Sequence, residues 1–398
     1  MGNLKKCTSR VPSADLLRKV GHPSPCNSLC FTGLLFLFAF SASLTAQRDQ
    51  VLEWPWRTDT AQRTISLDEF QVLLPPDAIP PVDKPRFESS AEALRHYHAD
   101  EPVIAVVLDG ESRAYPLSVL MWHEIVNDQI GQRFLSVTYC PLCNAAVVFD
   151  REFAAPKGGR YLLDFGTSGM LRHSDMVMWD RQTQSWWQQL TGNALVGRLA
   201  GGQLKQFPAQ ILSLQDYRSR WPAGLVLAKP TDDERPYGDN PYPGYDTESE
   251  VPAFYQANPD PRLPPTERVV DVCFDGHCRV YPWSMLAQKA MIQDNFQNQA
   301  LVLFFRPGTR SALDQRAIAL SRPIGSVGVY RAMLDGKALH FEPYRGNFRD
   351  RETGSVWDHT GRANAGQHKG RQLEPVLHHN FFAFAWFHFN PDSEVYQE

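Results

Sequence analysis

The sequence predicts a β-rich α+β fold: two tandem copies of a mainly antiparallel β domain with short helices. Three observations predict it. The chain is written twice, since EPVIAVVLDGESRAYPLSVL from Glu101 aligns with ERVVDVCFDGHCRVYPWSML from Glu267 at an offset of 267 − 101 = 166. Within each copy, short runs rich in Val, Tyr, Phe and Thr alternate with turn residues, the pattern of antiparallel strands. Finally, 398 residues with 43% hydrophobic content are too many for one ordinary domain and enough to bury substantial cores.

In chain order, residues 1–46 read as an export signal. Lys5, Lys6, Arg10, Arg18 and Lys19 precede an apolar run from Leu29 to Leu44, with small residues at Ser41, Ser43 and Ala46. The run is shorter than the roughly 20 residues of a membrane span, so cleavage is expected, with an uncleaved N-terminal anchor as the alternative. Export places the protein in the periplasm or on the cell surface, where disulfides persist. Residues 47–99 are an N-terminal extension, 100–229 the first repeat, and 266–398 the second. Between the repeats, 230–265 hold RPYGDNPYPGYD, whose prolines and glycines exclude a regular element. Its tyrosines Tyr237, Tyr242, Tyr245 and Tyr255 point to a segment packed on a domain rather than a free tether. Each repeat is expected to contain an early helix, Pro116 to Asp128 in the first, and a closing helix, around Leu214 to Trp221.

Forty basic and forty-four acidic residues, with no long run of either sign, exclude an obvious nucleic-acid surface. A duplication also supplies an internal control: both copies must satisfy the same packing, while a functional site can be lost from one. Shared residues therefore read as framework. They include the DGxxRxYP turn, Asp128/Asp294 at a helix end, and the DRxTxSxW hairpin at Asp180 and Asp350.

Residues private to the first copy are the candidates. Cys140 and Cys143 in TYCPLCNAAVVFDR become Arg306 and Thr309 in the second. A strand, a tight turn and a strand surround them, as in a metal knuckle where two thiolates meet on one ion. A redox pair would instead open a helix, and a local disulfide remains the simpler alternative. On a helical wheel Glu124 falls on the apolar face formed by Leu117, Leu120, Met121 and Ile125, where a carboxylate needs a partner. It becomes Ala290, His123 becomes Lys289, and Asn127 becomes Gln293. Two more first-copy elements have no counterpart, FGTSG with Ser168 and LRHSD with His173 and Asp175. Cys273 and Cys278 flank a DG turn in the second copy, which sets them across from each other as a disulfide. The aromatic end HHNFFAFAWFHFNP reads as core packing, with His378, His379 and His388 incidental.

With WHEIVND, TYCPLC, VVFDR, FGTSG, DRxTxSxW and QQLTG together, the chain resembles the uncharacterised bacterial family called domain of unknown function 3179, over most of its length after the leader. The resemblance implies His123, Glu124, Asn127, Asp128, Cys140 and Cys143 as motif positions and implies no reaction.

The expected function is an exported protein binding copper or zinc through Cys140, Cys143, His123 and Glu124, since thiolate and imidazole suit those ions. The alternatives are a thiol–disulfide or cysteine-nucleophile enzyme using the same residues, and a non-catalytic exported module with a structural CPLC disulfide. The expected partner is a small molecule, a metal or another exported protein, without nucleic acid.

Overall fold

A computed structural model of the chain describes residues 53–156, 158–231, 234–247 and 254–397. They all belong to one compact unit, Ala42–Glu398. The expected export signal lies outside the described residues. Among the described residues no helix is long and apolar enough to cross a membrane.

The structure is strand-rich. The first half runs β1 (Gln71–Val72), β2 (Phe87–Ser89), α1 (Ser90–Ala93), β3 (Pro102–Leu108), β4 (Glu111–Pro116), α2 (Leu117–His123), β5 (Ile125–Ile130), β6 (Arg133–Cys140) and β7 (Ala145–Asp150). It continues with β8 (Glu152–Ala154), β9 (Arg160–Leu162), β10 (Phe165–Arg172), β11 (Asp175–Asp180), β12 (Trp186–Gln188), β13 (Ala194–Val196), β14 (Ala209–Ser213), α3 (Leu214–Arg220) and β15 (Leu225–Leu227). The second half has β16 (Arg268–Phe274), β17 (His277–Pro282), α4 (Trp283–Lys289), β18 (Met291–Phe296), β19 (Gln299–Arg306) and β20 (Ser326–Arg331). Two short strands follow, β21 (Met333–Leu334) and β22 (Lys337–Ala338). The chain then adds β23 (Phe341–Tyr344), β24 (Asn347–Asp350), β25 (Val356–Trp357), β26 (Ala363–Ala365), β27 (Asn380–Phe382), α5 (Ala383–Phe389) and β28 (Glu394–Val395).

Three main sheets build each half, beside a two-stranded one, β8-β9 in the first and β21-β22 in the second. The main sheets are ordered β14-β3-β4-β15-β2, β5-β6-β7 and β1-β10-β11-β12-β13 in the first, and β27-β16-β17-β28, β18-β19-β20 and β23-β24-β25-β26 in the second. Pairing is antiparallel except where β15 joins β4 and β28 joins β17. The shared residues explain the shared geometry. Asp109 and Gly110 both take positive φ, as do Asp275 and Gly276, which closes the two-residue hairpins that the DG signal demands. At Pro116 and Pro282 the fixed proline φ opens α2 and α4. Glu101 and Glu267 then reach across to accept the orphan amides of Ser118 and Ser284. In both hairpins DRxTxSxW, the aspartate gathers the loop: Asp180 accepts from Thr183 and the Trp187 indole, Asp350 from Thr353 and the Trp357 indole.

One expected element is shorter than its pattern suggested. The helix runs Leu117–His123 and stops at Glu124, which takes the left-handed conformation (φ 57°) while its amide bonds Leu120 O. From Ile125 the chain is strand β5, where the alternating, partly β-branched IVNDQI run pairs with β6 and overrides any further turn. Glu124 and Ile125 are therefore not on one helix face. Asp128 is not a helix end either. It sits within β5, where it takes Arg113 Nη1 at 2.5 Å and the Tyr115 hydroxyl at 2.6 Å. Asp294 does the same for Arg279 and Tyr281.

The halves pack reciprocally. Strand β14 of the first lies against β20 of the second, and β27 of the second lies against β7 of the first. One hydrophobic cluster takes residues from both, from Val103 and Phe149 to Phe382 and Trp386. Helix α5 thus leans on the first half next to CPLC, and α3 leans on the corresponding part of the second.

Burial pushes the Glu101 carboxyl up to about 7, from an ordinary 4.5, against the lowering bond from Ser118. The folded state then holds a proton that the unfolded chain releases, so this group's contribution is intact below about 4.5 and lost as pH rises through about 7. Relative to Glu101→Gln, the wild type is expected to lose on the order of 3 kcal/mol of unfolding free energy between pH 4.5 and 7.5, measured by urea denaturation; parallel curves would contradict it.

Candidate metal site

Strand β6 delivers Cys140 as its last residue, and Pro141–Cys143 form a single 3₁₀ turn. Proline supplies the φ of the first turn position, and Asn144, at φ 50°, reverses the chain into β7. Strands β6 and β7 then pair with Cys140 opposite Ala145, so both sulfurs are held by one rigid hairpin end. Both cysteines are free and buried.

A second hairpin brings the third group. Between β10 and β11 the chain turns on His173 and Ser174, both at positive φ, and Asp175 follows as the first residue of β11. The Cys140 thiol donates to Ser174 O at 3.8 Å. One ligand atom each from Cys140, Cys143 and Asp175 lies within 4.8 Å of the others, all three residues being buried. Asp175 Oδ2 accepts from Gln188 Nε2 at 2.6 Å and from Leu190 N at 2.9 Å. Its Oδ1 is buried without a nitrogen or hydroxyl donor, and the Cys140 and Cys143 thiols are the donors near the carboxylate.

The electrostatics of this cluster are one-sided. Burial pushes the Cys140 thiol up, and the Cys143 thiol well up, with Asp175 adding to both. Burial raises Asp175 to about 6 despite its bonds to Gln188 and Leu190. Glu124 is raised to about 8, first by burial and then by Asp175. Among the described residues no Lys, Arg or His forms an ion pair with Asp175 or Glu124. Two thiols and a carboxylate, with a second carboxylate beside them, are thus without an ion-pair partner among the described residues, a group that could hold a metal ion.

The expected residues do not all meet. Cys140 and Cys143 converge as the spacing implied. Glu124 stands next to them, half-buried and near enough to act on Cys140 and Asp175, but outside the three-residue cluster. His123 is turned away: Nδ1 is 2.7 Å from Pro80 O, Nε2 is 2.6 Å from the Tyr237 hydroxyl, and the ring stacks on Tyr237. The third member of the cluster with the two sulfurs is Asp175. The signal for Asp175 was present in LRHSD, a segment without counterpart in the second half, where the hairpin of β23 and β24 is shorter. Asn127 is a framework residue that bridges Asp83 Oδ1 and the backbone of Phe165. Ser168 is no nucleophile, since its buried hydroxyl donates to Val177 O at 2.5 Å in a strand irregularity.

The tyrosine-rich segment lies over the site. Tyr245 donates to Leu142 O, within the CPLC turn, at 3.0 Å. Tyr242 is near enough for Glu124 and Cys140 to raise its hydroxyl further above its burial shift, and Tyr255 stands in the same relation to Cys143. The Tyr255 hydroxyl is 3.1 Å from His388 Nδ1, and the His388 ring lies tilted against His173 with centroids 3.6 Å apart. His388, read from the sequence as incidental, is a wall of this region, because α5 packs on the first half.

Residues 76–393 match the family model described as Protein of unknown function (DUF3179). The chain belongs to this family. No curated protein and no solved structure matches the chain.

In this DUF3179 chain Cys273 and Cys278 are opposite each other on β16 and β17 and joined as a disulfide, well away from CPLC in sequence. Thiol counting tests the cysteine assignment. With Cys7, Cys26 and Cys30 changed to serine, denaturation without reductant is expected to expose two alkylatable thiols, Cys140 and Cys143. In the native, chelator-treated chain both should react slowly, and Tyr245→Ala should speed them at least about tenfold by loosening the segment above the turn. Four thiols, or none, would contradict the assignment.

Proposed function

We propose that this is an exported protein whose Cys140, Cys143 and Asp175 hold one copper or zinc ion. The observation that supports it is the convergence of two buried free thiols and a buried carboxylate whose Oδ1 has no nitrogen or hydroxyl donor, with no Lys, Arg or His in an ion pair with that carboxylate among the described residues. A divalent or soft monovalent ion removes that imbalance, since it favours the deprotonated form of every group around it. Two thiolates select copper or zinc over the hard ions that prefer oxygen. Gln188 orients Asp175 from behind, the role that outer hydrogen bonds play for metal-bound carboxylates. Three protein ligands leave one position of a tetrahedral ion for Glu124 or for an external molecule, and only an open position supports catalysis.

The geometry gives less support to the cysteine enzyme. Nucleophilic or exchange chemistry needs a thiolate near neutral pH, whereas burial and Asp175 push both thiols up, and only a single 3₁₀ turn, without a side-chain cap bond, opens at Cys140. A structural CPLC disulfide is likewise disfavoured by the free state of the pair. The basic, then apolar, leader supports export.

The test uses the full chain with Cys7, Cys26 and Cys30 changed to serine, stripped with chelator and reloaded with copper or zinc. About one ion per chain is expected. Cys140→Ala, Cys143→Ala and Asp175→Asn should each retain less than about a tenth of it, while His123→Ala should retain all of it. Equal and negligible metal in every variant would contradict the reading.

A further inference from the structure

The part of the second half that corresponds to the thiol cluster is an open polar cavity of about 500 Å³. Its chemistry is inverted. Arg306 stands at the place of Cys140 (140 + 166) and His359 at that of Gln189 (189 + 170), while the shorter hairpin of β23 and β24 leaves Asp175 without a counterpart. The helix leaning on it is also different in kind. Where α5 offers Phe384, Ala385, His388 and Phe389 to the first half, α3 offers Gln215, Asp216, Ser219 and Arg220 at an offset of 169. The first half therefore has a covered, acidic, thiol-bearing cluster, and the second has a hollow walled by cations.

Four cationic side chains line this cavity, Arg220, Arg306, Arg362 and Lys369, against two carboxylates, Asp216 and Asp358. With His359 neutral the formal sum is +4 − 2 = +2. Asp358 is committed to its own turn, where it accepts from Thr360 N, Thr360 Oγ1, Arg362 N and Asn364 Nδ2. Asp216 is shared loosely, 3.7 Å from Arg306 Nε and 3.8 Å from His359 Nε2. Among the described residues the Arg362 guanidinium and the Lys369 ammonium make no side-chain hydrogen bond or ion pair. Two buried nitrogens also lack a hydrogen-bond partner, Nε2 of His359, a residue only 5% exposed, and Nε of Arg220. Arg220 is held close enough to Arg362 for the two like charges to repel. Unpaired cations, mutual repulsion and unsatisfied donors around one hollow are relieved together by an anion with several acceptor oxygens.

We propose that this cavity binds a small molecule carrying a phosphate or carboxylate group, with the oxyanion held by Arg362, Lys369, Arg306 and His359. The remaining lining, which includes Asn347, Asn364, Gln215 and Ser219, is hydrogen-bonding rather than apolar and suits a hydroxyl-rich body attached to that group. The site is independent of the metal reading, because it shares no residue with Cys140, Cys143 and Asp175.

Calorimetric titration of the full chain tests it, with glucose 6-phosphate, inorganic phosphate, acetate and glucose as probes at low salt. An oxyanion should bind with Kd below about 1 mM while glucose gives no heat. Heat with both phosphates but not acetate assigns a phosphoryl ligand, and heat with acetate alone a carboxylate. Arg362→Ala and Lys369→Ala, both at exposed positions that leave the fold intact, should each weaken binding at least about tenfold and leave metal content unchanged. Added sodium chloride should weaken it further. Absence of heat with every oxyanion, or binding unaltered in both variants, would overturn the proposal.

Discussion

Everything at the candidate site follows from one constraint: Cys140, Cys143 and Asp175 are buried side by side, and among the described residues Asp175 has no ion-pair partner. A buried carboxylate or thiolate is costly unless it is paired or coordinates a metal. Only Asp175 Oδ2 has strong donors, from Gln188 and Leu190. Two rigid hairpin ends nevertheless hold the groups together, with the left-handed residues Asn144, His173 and Ser174 closing them. Such residues are locally unfavourable, so the fold maintains an arrangement that relaxation would otherwise disperse.

The reciprocal packing of the halves makes this possible. Strand β27 lies on β7 and β14 on β20, so each half supplies a helix beside the other's hairpin end. Over the first half the contribution is aromatic, which excludes water and raises every acid beneath it. Over the second it is polar, and the cavity stays open. The tyrosine-rich segment finishes the enclosure, since Tyr245 bonds the CPLC turn and Tyr237 holds His123. The same polypeptide thus presents two contrasting environments at corresponding places.

Much of this was legible in the residues. The DG turns, the proline-opened helices, the cross-strand Cys273–Cys278 pair and the strand–turn–strand setting of CPLC are local features, and local chemistry fixes them. The extent of α2 was not legible, because a helical wheel accommodates Ile125 as readily as β5 does, and the hairpin of β5 with β6 overrides the helical pattern. Asp175 was visible only as part of a segment private to the first copy. Its approach to the sulfurs depends on how two hairpins from different sheets meet, which no spacing encodes. The place of His123 was hidden for the same reason: it adjoins Glu124 in sequence, yet the last turn of α2 aims it at Pro80 and Tyr237.

The central claim is that both sulfurs and Asp175 share one ion. X-ray absorption at the metal edge of the reloaded chain tests it most directly. The account predicts two sulfur scatterers at about 2.3 Å with oxygen at about 2.0–2.2 Å, and loss of the sulfur shell in Cys140→Ala/Cys143→Ala. A shell of nitrogen and oxygen alone would place the ion elsewhere and contradict it.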